Sequence, residues 1–349
     1  MKFSLSYIAS AVGGKLSEKS NAMREIGGFF TDSRTPDKEK LFLALRGERV
    51  DGNTFVPSLV AEGCCAMVDR EEYLELSGDI IYVADVRTAL QTLAKYYREN
   101  ELSSIPFVGI TGSVGKTTTK EMVALALSSE KNVHKTIGNF NSQIGLPQTV
   151  LACETSVDCA VVELGMSMPG EMERIARCAI PDISIITNIG YSHIENLGSR
   201  EAICFEKLKI ASASKDGSTL ILNGDEPLLR SREYHNNKVC FVSVEDSTCE
   251  CYATDIEELN DGIKFTAVIF GEEFSIKISA RGRHYVMNSL FVLATAKFLN
   301  IDLSKAAASL SHYKSDGKRQ YVYTTDCPRL VGKQTSIFVR FLKISPIKI

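Results

Sequence analysis

The residues best placed to do chemistry lie in Val108-Gly109-Ile110-Thr111-Gly112-Ser113-Val114-Gly115-Lys116-Thr117-Thr118-Thr119. An apolar run meets a glycine turn, and Gly-Lys-Thr then opens a stretch with helical character. Glycine lets backbone N–H groups approach a phosphate closely, and the start of a helix favours negative charge. In such a loop Lys116 would reach the β- and γ-phosphates of a nucleotide, and the Thr117 hydroxyl would suit Mg²⁺. A bare Gly-Lys-Thr could be an ordinary turn, but strand, glycine turn and helix in this order outweigh that reading. Ile110 stands where the general phosphate-loop pattern has glycine, so the motif is the narrower Thr-Gly-Ser-x-Gly-Lys-Thr-Thr.

Three further positions carry weaker signals. Glu163 ends the apolar run Cys159–Leu164, and an acid at the end of a buried strand after a phosphate loop can bind Mg²⁺ directly or through water. His193 closes Thr187-Asn188-Ile189-Gly190-Tyr191-Ser192-His193 at another strand end, where a neutral imidazole could join the same metal. Phe205-Glu206-Lys207-Leu208-Lys209-Ile210 is, on its residues alone, an exposed charged stripe on a helix. A lysine there acts otherwise only if its amine is uncharged or covalently modified.

The elements that must position these residues follow from periodicity. Apolar runs at Ile105–Thr111, Cys159–Leu164, Ile183–Asn188 and Thr219–Asn223 alternate with helical patterns at Lys116–Ser128, Glu171–Ala179 and Arg200–Ala213. That alternation predicts a parallel sheet covered on both faces, with ligands at the carboxyl ends of its strands. Thr111-Gly112, Glu163, Thr187-Asn188 and Asn223-Gly224-Asp225 are therefore expected to converge. Between Lys238 and Ala280, turn signals at Asn260-Asp261-Gly262 and Gly271 predict an antiparallel extension, followed by helices His284–Phe298 and Leu303–Leu310. Upstream, Lys40–Leu45 and Ile80–Val83 read as strands and Thr88–Tyr97 as a helix, with a polar break at 99–104. The fold class is α/β: a small mixed α/β N-terminal domain, then a phosphate-loop, parallel-sheet ATP-binding domain with an antiparallel extension. The expected domains are 1–102, 103–320 and an atypical basic tail, 321–349.

Composition agrees with a soluble enzyme of about two domains. The chain has 349 residues, 44% hydrophobic and 24% charged, with a net charge of −3, which argues against a nucleic-acid protein working through a broad basic face. The ten cysteines form no CxxC pair and sit in apolar runs, as reduced thiols of a cytoplasmic protein do. Met1–Val12 reads as a first amphipathic helix rather than a signal peptide, and no apolar run is long enough to span a membrane.

Seven ordered blocks of this sequence resemble the Mur ligase family, over Met1 to about Arg319. They are Thr31-Asp32-Ser33-Arg34, Leu41–Gly47, Asp51-Gly52-Asn53, Thr111–Thr118, Thr136-Ile137-Gly138-Asn139-Phe140-Asn141, Glu163-Leu164-Gly165-Met166 and Asn188–His193. The resemblance implies an ATP-dependent amide ligase of peptidoglycan precursor synthesis, working through an acyl phosphate. Its implied substrates are UDP-N-acetylmuramoyl-tripeptide and D-Ala-D-Ala, with the chain monomeric. Gly112, Ser113, Val114, Gly115, Lys116, Thr117, Thr118, Asn288 and Arg319 would bind ATP, with Asn288 on the adenine and Arg319 on the phosphates. Ser33, Arg34, Asn139 and Asn141 would meet the UDP-sugar-peptide. Lys116, Glu163, His193 and Lys207 would be catalytic. Two Mg²⁺ ions would be held by Thr117, Glu163, His193 and Lys207 as its carbamate, with Lys209 the nearby competitor for that modification.

Asn53 stands where the family usually has histidine, and Ser142 follows Asn141 where a second asparagine is common. The larger departure is C-terminal. Thr324-Thr325-Asp326-Cys327-Pro328-Arg329-Leu330 does not open the family's third domain, and residues 327–349 hold five basic and no acidic side chains. The expectation is a truncated or frame-shifted end with turnover reduced to near zero. Two other readings stay open: a non-catalytic ATP- or UDP-sugar-binding fragment, and the related ligase adding the third residue of the peptide.

Overall fold

Alternate residues of the central strands enter two different cores, and this organises the molecule. Residues 2–313 are described by the computed structural model, within one compact unit. Ala160 and Val162 pack into one core and Val161 into the other; Ile186 and Ile185 divide in the same way, as do Leu220 and Leu222 against Ile221. A two-residue side-chain period buried on both faces is what a helix-covered parallel sheet requires.

That sheet has nine strands. From one edge they run Glu272–Ile278, Gly262–Ile269, Cys251–Leu259, Lys238–Ser243, Thr219–Asn223, Ile183–Ile186, Phe107–Thr111, Cys159–Glu163 and Val133–Lys135. The six from Lys238–Ser243 to Val133–Lys135 are parallel. The extension is antiparallel only from Cys251 onward. Lys238–Ser243 is still parallel to Thr219–Asn223, and it also pairs in parallel with Cys251–Leu259. The turn signals at 260–262 and 271 lie within the later hairpins, so they do not reach back to that strand.

Helices Lys116–Leu127, His284–Phe298 and Leu303–Leu310 cover one face. Helices Val86–Asn100, Gly145–Leu151, Glu171–Ala179 and Arg200–Leu208 cover the other. Val86–Asn100 begins at Asp85, whose carboxylate accepts from Thr88 N at 2.7 Å, and buries Leu90, Leu93 and Tyr97. Arg98 on the same helix is 2% exposed. Its guanidinium lies 4.3 Å over the Phe107 ring, donates to Ala179 O at 2.9 Å and pairs with Asp182 at 2.9 Å. Asp182 in turn accepts from Phe107 N at 2.8 Å, so the N-terminal helix is joined to the central sheet through a buried charge.

The N-terminal residues form a five-stranded sheet, ordered Lys15–Leu16, Ile80–Tyr82, Cys65–Val68, Leu41–Leu43 and Phe29–Phe30. The first helix is Leu5–Val12, capped by Ser4 and closed by Gly13 in the left-handed region. Phe3–Ser4 is instead a short strand paired with Glu25–Ile26, so the helix does not reach Met1–Val12 in full. The nine cysteines among the described residues are free and buried. Burial pushes the thiols of Cys65 and Cys153 up to about 12, which leaves them inert. No helix among the described residues is long and apolar enough to cross a membrane.

Candidate functional site

Three neighbouring strand ends build the site. Phe107–Thr111 lies between Cys159–Glu163 and Ile183–Ile186, so their carboxyl ends deliver Gly112, Glu163 and Thr187 side by side. Gly112 has φ +151°, and a Cβ there would lie 1.9 Å from Thr187 Oγ1. Only glycine fits. Asn188 Oδ1 accepts from both Ser113 N and Val114 N at 3.0 Å, while Thr187 Oγ1 donates to Val114 O at 2.7 Å. The loop is therefore held from the neighbouring strand. Gly115, at φ +84°, precedes helix Lys116–Leu127 without offering a side-chain cap, which leaves first-turn N–H groups available to an anion.

Lys116 Nζ donates to Gly112 O at 2.8 Å, curling over the loop. Burial lowers its pKa, and the charge of Glu163 opposes that shift. Thr117 Oγ1 donates to Glu163 Oε2 at 2.9 Å, and Asn141 Nδ2 donates to Oε1 at 2.8 Å. Glu163 is 2% exposed, with a backbone N–H donating to Thr136 Oγ1 at 3.0 Å. A buried carboxylate whose hydrogen bonds come from a hydroxyl and an amide, without an ammonium in contact, is suited to a hard divalent cation. Among the described residues no three His, Cys, Asp or Glu side chains converge as a metal cluster. A full ligand set would need Thr117, His193 or a modified Lys207 beside Glu163.

Gly112, Ser113, Lys116, Asn141, His193 and Lys207 all line one pocket of about 470 Å³. His193 adopts a left-handed conformation, φ +65°, at the start of a short helix. Lys207 is 2% exposed, and its ammonium has no hydrogen-bond partner among the described residues. Its pKa is pushed down to about 7, first by burial and then by the charge of Lys116, with Glu206 opposing. Lys209 instead donates to Glu206 Oε2 at 2.8 Å and stacks on the Phe205 ring. Of the two lysines, Lys207 faces the pocket.

Other predicted residues lie elsewhere. Asn288, 5% exposed, accepts from Thr119 Oγ1 at 3.1 Å, on the helix that packs against the start of Lys116–Leu127. Val114 is exposed and Thr118 half-buried, both outside the pocket lining. Asn139 is exposed, and only its carbonyl is engaged, by Asn141 N at 2.7 Å. Ser33 and Arg34 lie on a separate surface turn, where Arg34 folds back onto Asp32 at 2.6 and 2.8 Å. Asn53 is buried, donating to Asp51 at 2.9 Å and to Asp69 at 2.8 Å. Asp225 turns from the strand ends to bind Ser243 and Val244 N. Arg319 and the basic tail fall outside the described residues.

The pocket is also lined by Arg87, Gln143, Ser167 and Glu171, none of which a sequence motif singles out. Gln143 donates to Glu171 at 2.8 Å and accepts from Arg174 at 3.0 Å, and Glu171 also accepts from Ser167 N and Met168 N. The one available signal was the helix start at Glu171. These contacts join segments remote in the chain.

The Mur ligase middle domain matches residues 110–296, and the Mur ligase family catalytic domain matches residues 25–102. A UDP-N-acetylmuramoyl-tripeptide–D-alanyl-D-alanine ligase from Bacillus subtilis is 38% identical over 93% of this chain and 70% of its own length. The protein of the same name from Synechocystis is 34% identical over 86% of this chain and 64% of its own. The crystal structure of MurF from Acinetobacter baumannii superposes with a TM-score of 0.83 at 27% identity, covering 93% of this chain and 72% of that one. MurF ligase from Thermotoga maritima, solved in complex with ADP, superposes with a TM-score of 0.75 at 27% identity, over 82% of this chain and 66% of that one.

Proposed function

Because the chain belongs to the Mur ligase family, we propose that it joins D-Ala-D-Ala to UDP-N-acetylmuramoyl-tripeptide at the cost of ATP. The observation that carries this reading is the buried Glu163, hydrogen-bonded to Thr117 at the start of the helix after the glycine loop and to Asn141, which lines one pocket with Lys116 and Lys207. The D-Ala-D-Ala substrate is supported by the names of relatives up to 38% identical, against the reading as the ligase for the third residue. Free, buried cysteines support a cytoplasmic setting.

In this reading the loop N–H groups and Lys116 hold the nucleotide phosphates, and the reaction is mainly positioning and charge neutralisation. Thr117, Glu163, His193 and Lys207 would hold Mg²⁺, which supplies neutralisation of phosphate charge. Lys207 must first change sign. Its neutral amine, abundant near pH 7, attacks CO₂; a N–C bond forms, one C=O electron pair moves to oxygen, and the nitrogen releases a proton. The product is an anionic carbamate where an ammonium stood. Asn141 and Thr117 keep the Glu163 carboxylate in a fixed orientation before any substrate arrives. Asn288 would meet the adenine, while Ser33, Arg34 and Asn139 would meet the UDP-sugar end.

The test is phosphate release. It should require ATP, the UDP-tripeptide and D-Ala-D-Ala together, and single amino acids should not replace the dipeptide. Release that is indifferent to the dipeptide would overturn the proposal.

A further inference from the structure

The pocket holds one cation that the mechanism leaves unused. Arg87 lines it together with Lys116 and Lys207, from a helix that precedes the phosphate loop in the chain. It stands in the first turn of helix Val86–Asn100, exposed, and its guanidinium has no hydrogen bond or ion pair among the described residues. Asp85, two residues away, senses its charge but is engaged as the helix cap. Glu171 is the one carboxylate lining this pocket, and both its oxygens are already taken, by Gln143 and by the N–H groups of Ser167 and Met168. Among the described residues, no carboxylate forms an ion pair with Arg87.

Its position is fixed. Gln91, one turn further along the helix, donates to Gln143 O at 3.1 Å, and residues four apart share a helix face. Arg87 therefore shares the helix face that meets Gln143, and it lines the pocket with Ser142, Gln143 and Ile144 as well as with Gly112 and Ser113 of the phosphate loop. A free guanidinium recognises a planar oxyanion through two parallel hydrogen bonds. The nucleotide phosphates are already served by the loop and Lys116. Two other anions must enter: the diphosphate of the UDP-sugar, for which Ser33 and Arg34 are proposed on a separate turn, and the carboxylate to be phosphorylated.

We propose that Arg87 grips the terminal carboxylate of the peptide-bearing substrate and aims it at the transferable phosphate. This rests on the ligase reading above. No group transfer to Arg87 is involved; it is a binding residue.

The test uses the full chain and calorimetry with a non-hydrolysable ATP analogue present. The probes are UDP-N-acetylmuramoyl-tripeptide and its C-terminal carboxamide. Arg87→Ala should weaken binding of the carboxylate form by about tenfold, and Arg87→Lys should recover only part of that loss. The carboxamide should bind wild type about as weakly as the acid binds R87A, and should not distinguish the two proteins. Affinity for the ATP analogue should stay within about twofold, because the loop and Lys116 are untouched. Equal loss for acid and amide would assign Arg87 to the diphosphate, and loss of nucleotide affinity would assign it to ATP; either overturns the proposal. So does unchanged binding in R87A. Wild type that binds neither probe would bring down the ligase reading itself, a result distinct from all of these.

Discussion

Replacing Lys207 by methionine should stabilise the protein, and by an amount that depends on pH. The side chain is 2% exposed, and its pKa is pushed from 10.5 to about 7 by burial and by Lys116. Below pH 7 the amine is protonated in both the folded and unfolded chains, and the native state bears the full cost of an unpaired buried ammonium. Between pH 7 and 10.5 the native state has released the proton while the unfolded chain still holds it, so the cost shrinks as pH rises. Above 10.5 it is gone. At about 1.4 kcal/mol per pH unit the full cost is on the order of 5 kcal/mol near pH 6, falling to roughly 1 kcal/mol at pH 9.5. Lys207→Met keeps the chain length and removes the charge. Urea unfolding of both proteins should show the variant ahead by several kcal/mol at pH 6 and nearly level at pH 9.5. A gain that is the same at both pH values would refute the argument, because the amine would then not be titrating in this range. Bicarbonate supplies a second arm at pH 8. CO₂ that adds only to the folded amine raises wild-type stability by mass action and leaves the methionine variant unmoved. Equal response of the two proteins would remove the carbamate.

Gly112→Ala places a Cβ against Thr187 Oγ1 in a backbone conformation that disfavours side chains, and should cost at least about 2 kcal/mol and tenfold in nucleotide affinity by calorimetry. Glu163→Gln preserves the shape around Thr117 and Asn141 but removes the charge; turnover should fall by about 10²–10³, while metal-free stability rises. A variant with wild-type Mg²⁺ dependence would exclude Glu163 as a ligand. Arg98→Met strands Asp182 and three carbonyls that the guanidinium serves, and should lower stability by about 3 kcal/mol in denaturant unfolding.

The parallel core was legible because its strands run four or five fully buried residues between amphipathic helices. The strands that escaped notice are short. Val133–Lys135 is half-exposed and flanked by charge, and Phe29–Phe30 is two residues long, too little for any period to register. In the site, Gly112, Lys116, Thr117 and Glu163 were readable from local motifs, since a strand end, a turn and a helix start are consecutive in sequence. The choice between Lys207 and Lys209 was not readable from the stripe itself. Two residues apart on a helix means roughly 200° of rotation, so one lysine faces the pocket and the other reaches Glu206, but which is which depends on the packing of Arg200–Leu208. Asn188 was part of a motif, yet its work of holding two loop N–H groups 74 and 75 residues away is visible only when the strands lie side by side.

The helix Val86–Asn100 shows why position, rather than residue type, decides what an arginine does. Residues 87, 91 and 98 differ by four and seven positions, so all three fall within a narrow band along one helix face. At one end Arg98 is desolvated and bound into the central sheet through Asp182 and the Ala179 carbonyl. In the middle Gln91 holds the segment that carries Gln143. At the other end, about 16 Å from Arg98 at 1.5 Å per residue, Arg87 lines the pocket with no hydrogen bond or ion pair among the described residues. The buried end cannot rotate without breaking its pair, and a helix transmits that restraint as a rigid rod. A guanidinium on a mobile loop would lose side-chain and backbone freedom on gripping a carboxylate; here the backbone part is already settled by folding. Loosening Arg98 should therefore weaken acceptor binding while the phosphate loop, carried by the central sheet, keeps its nucleotide.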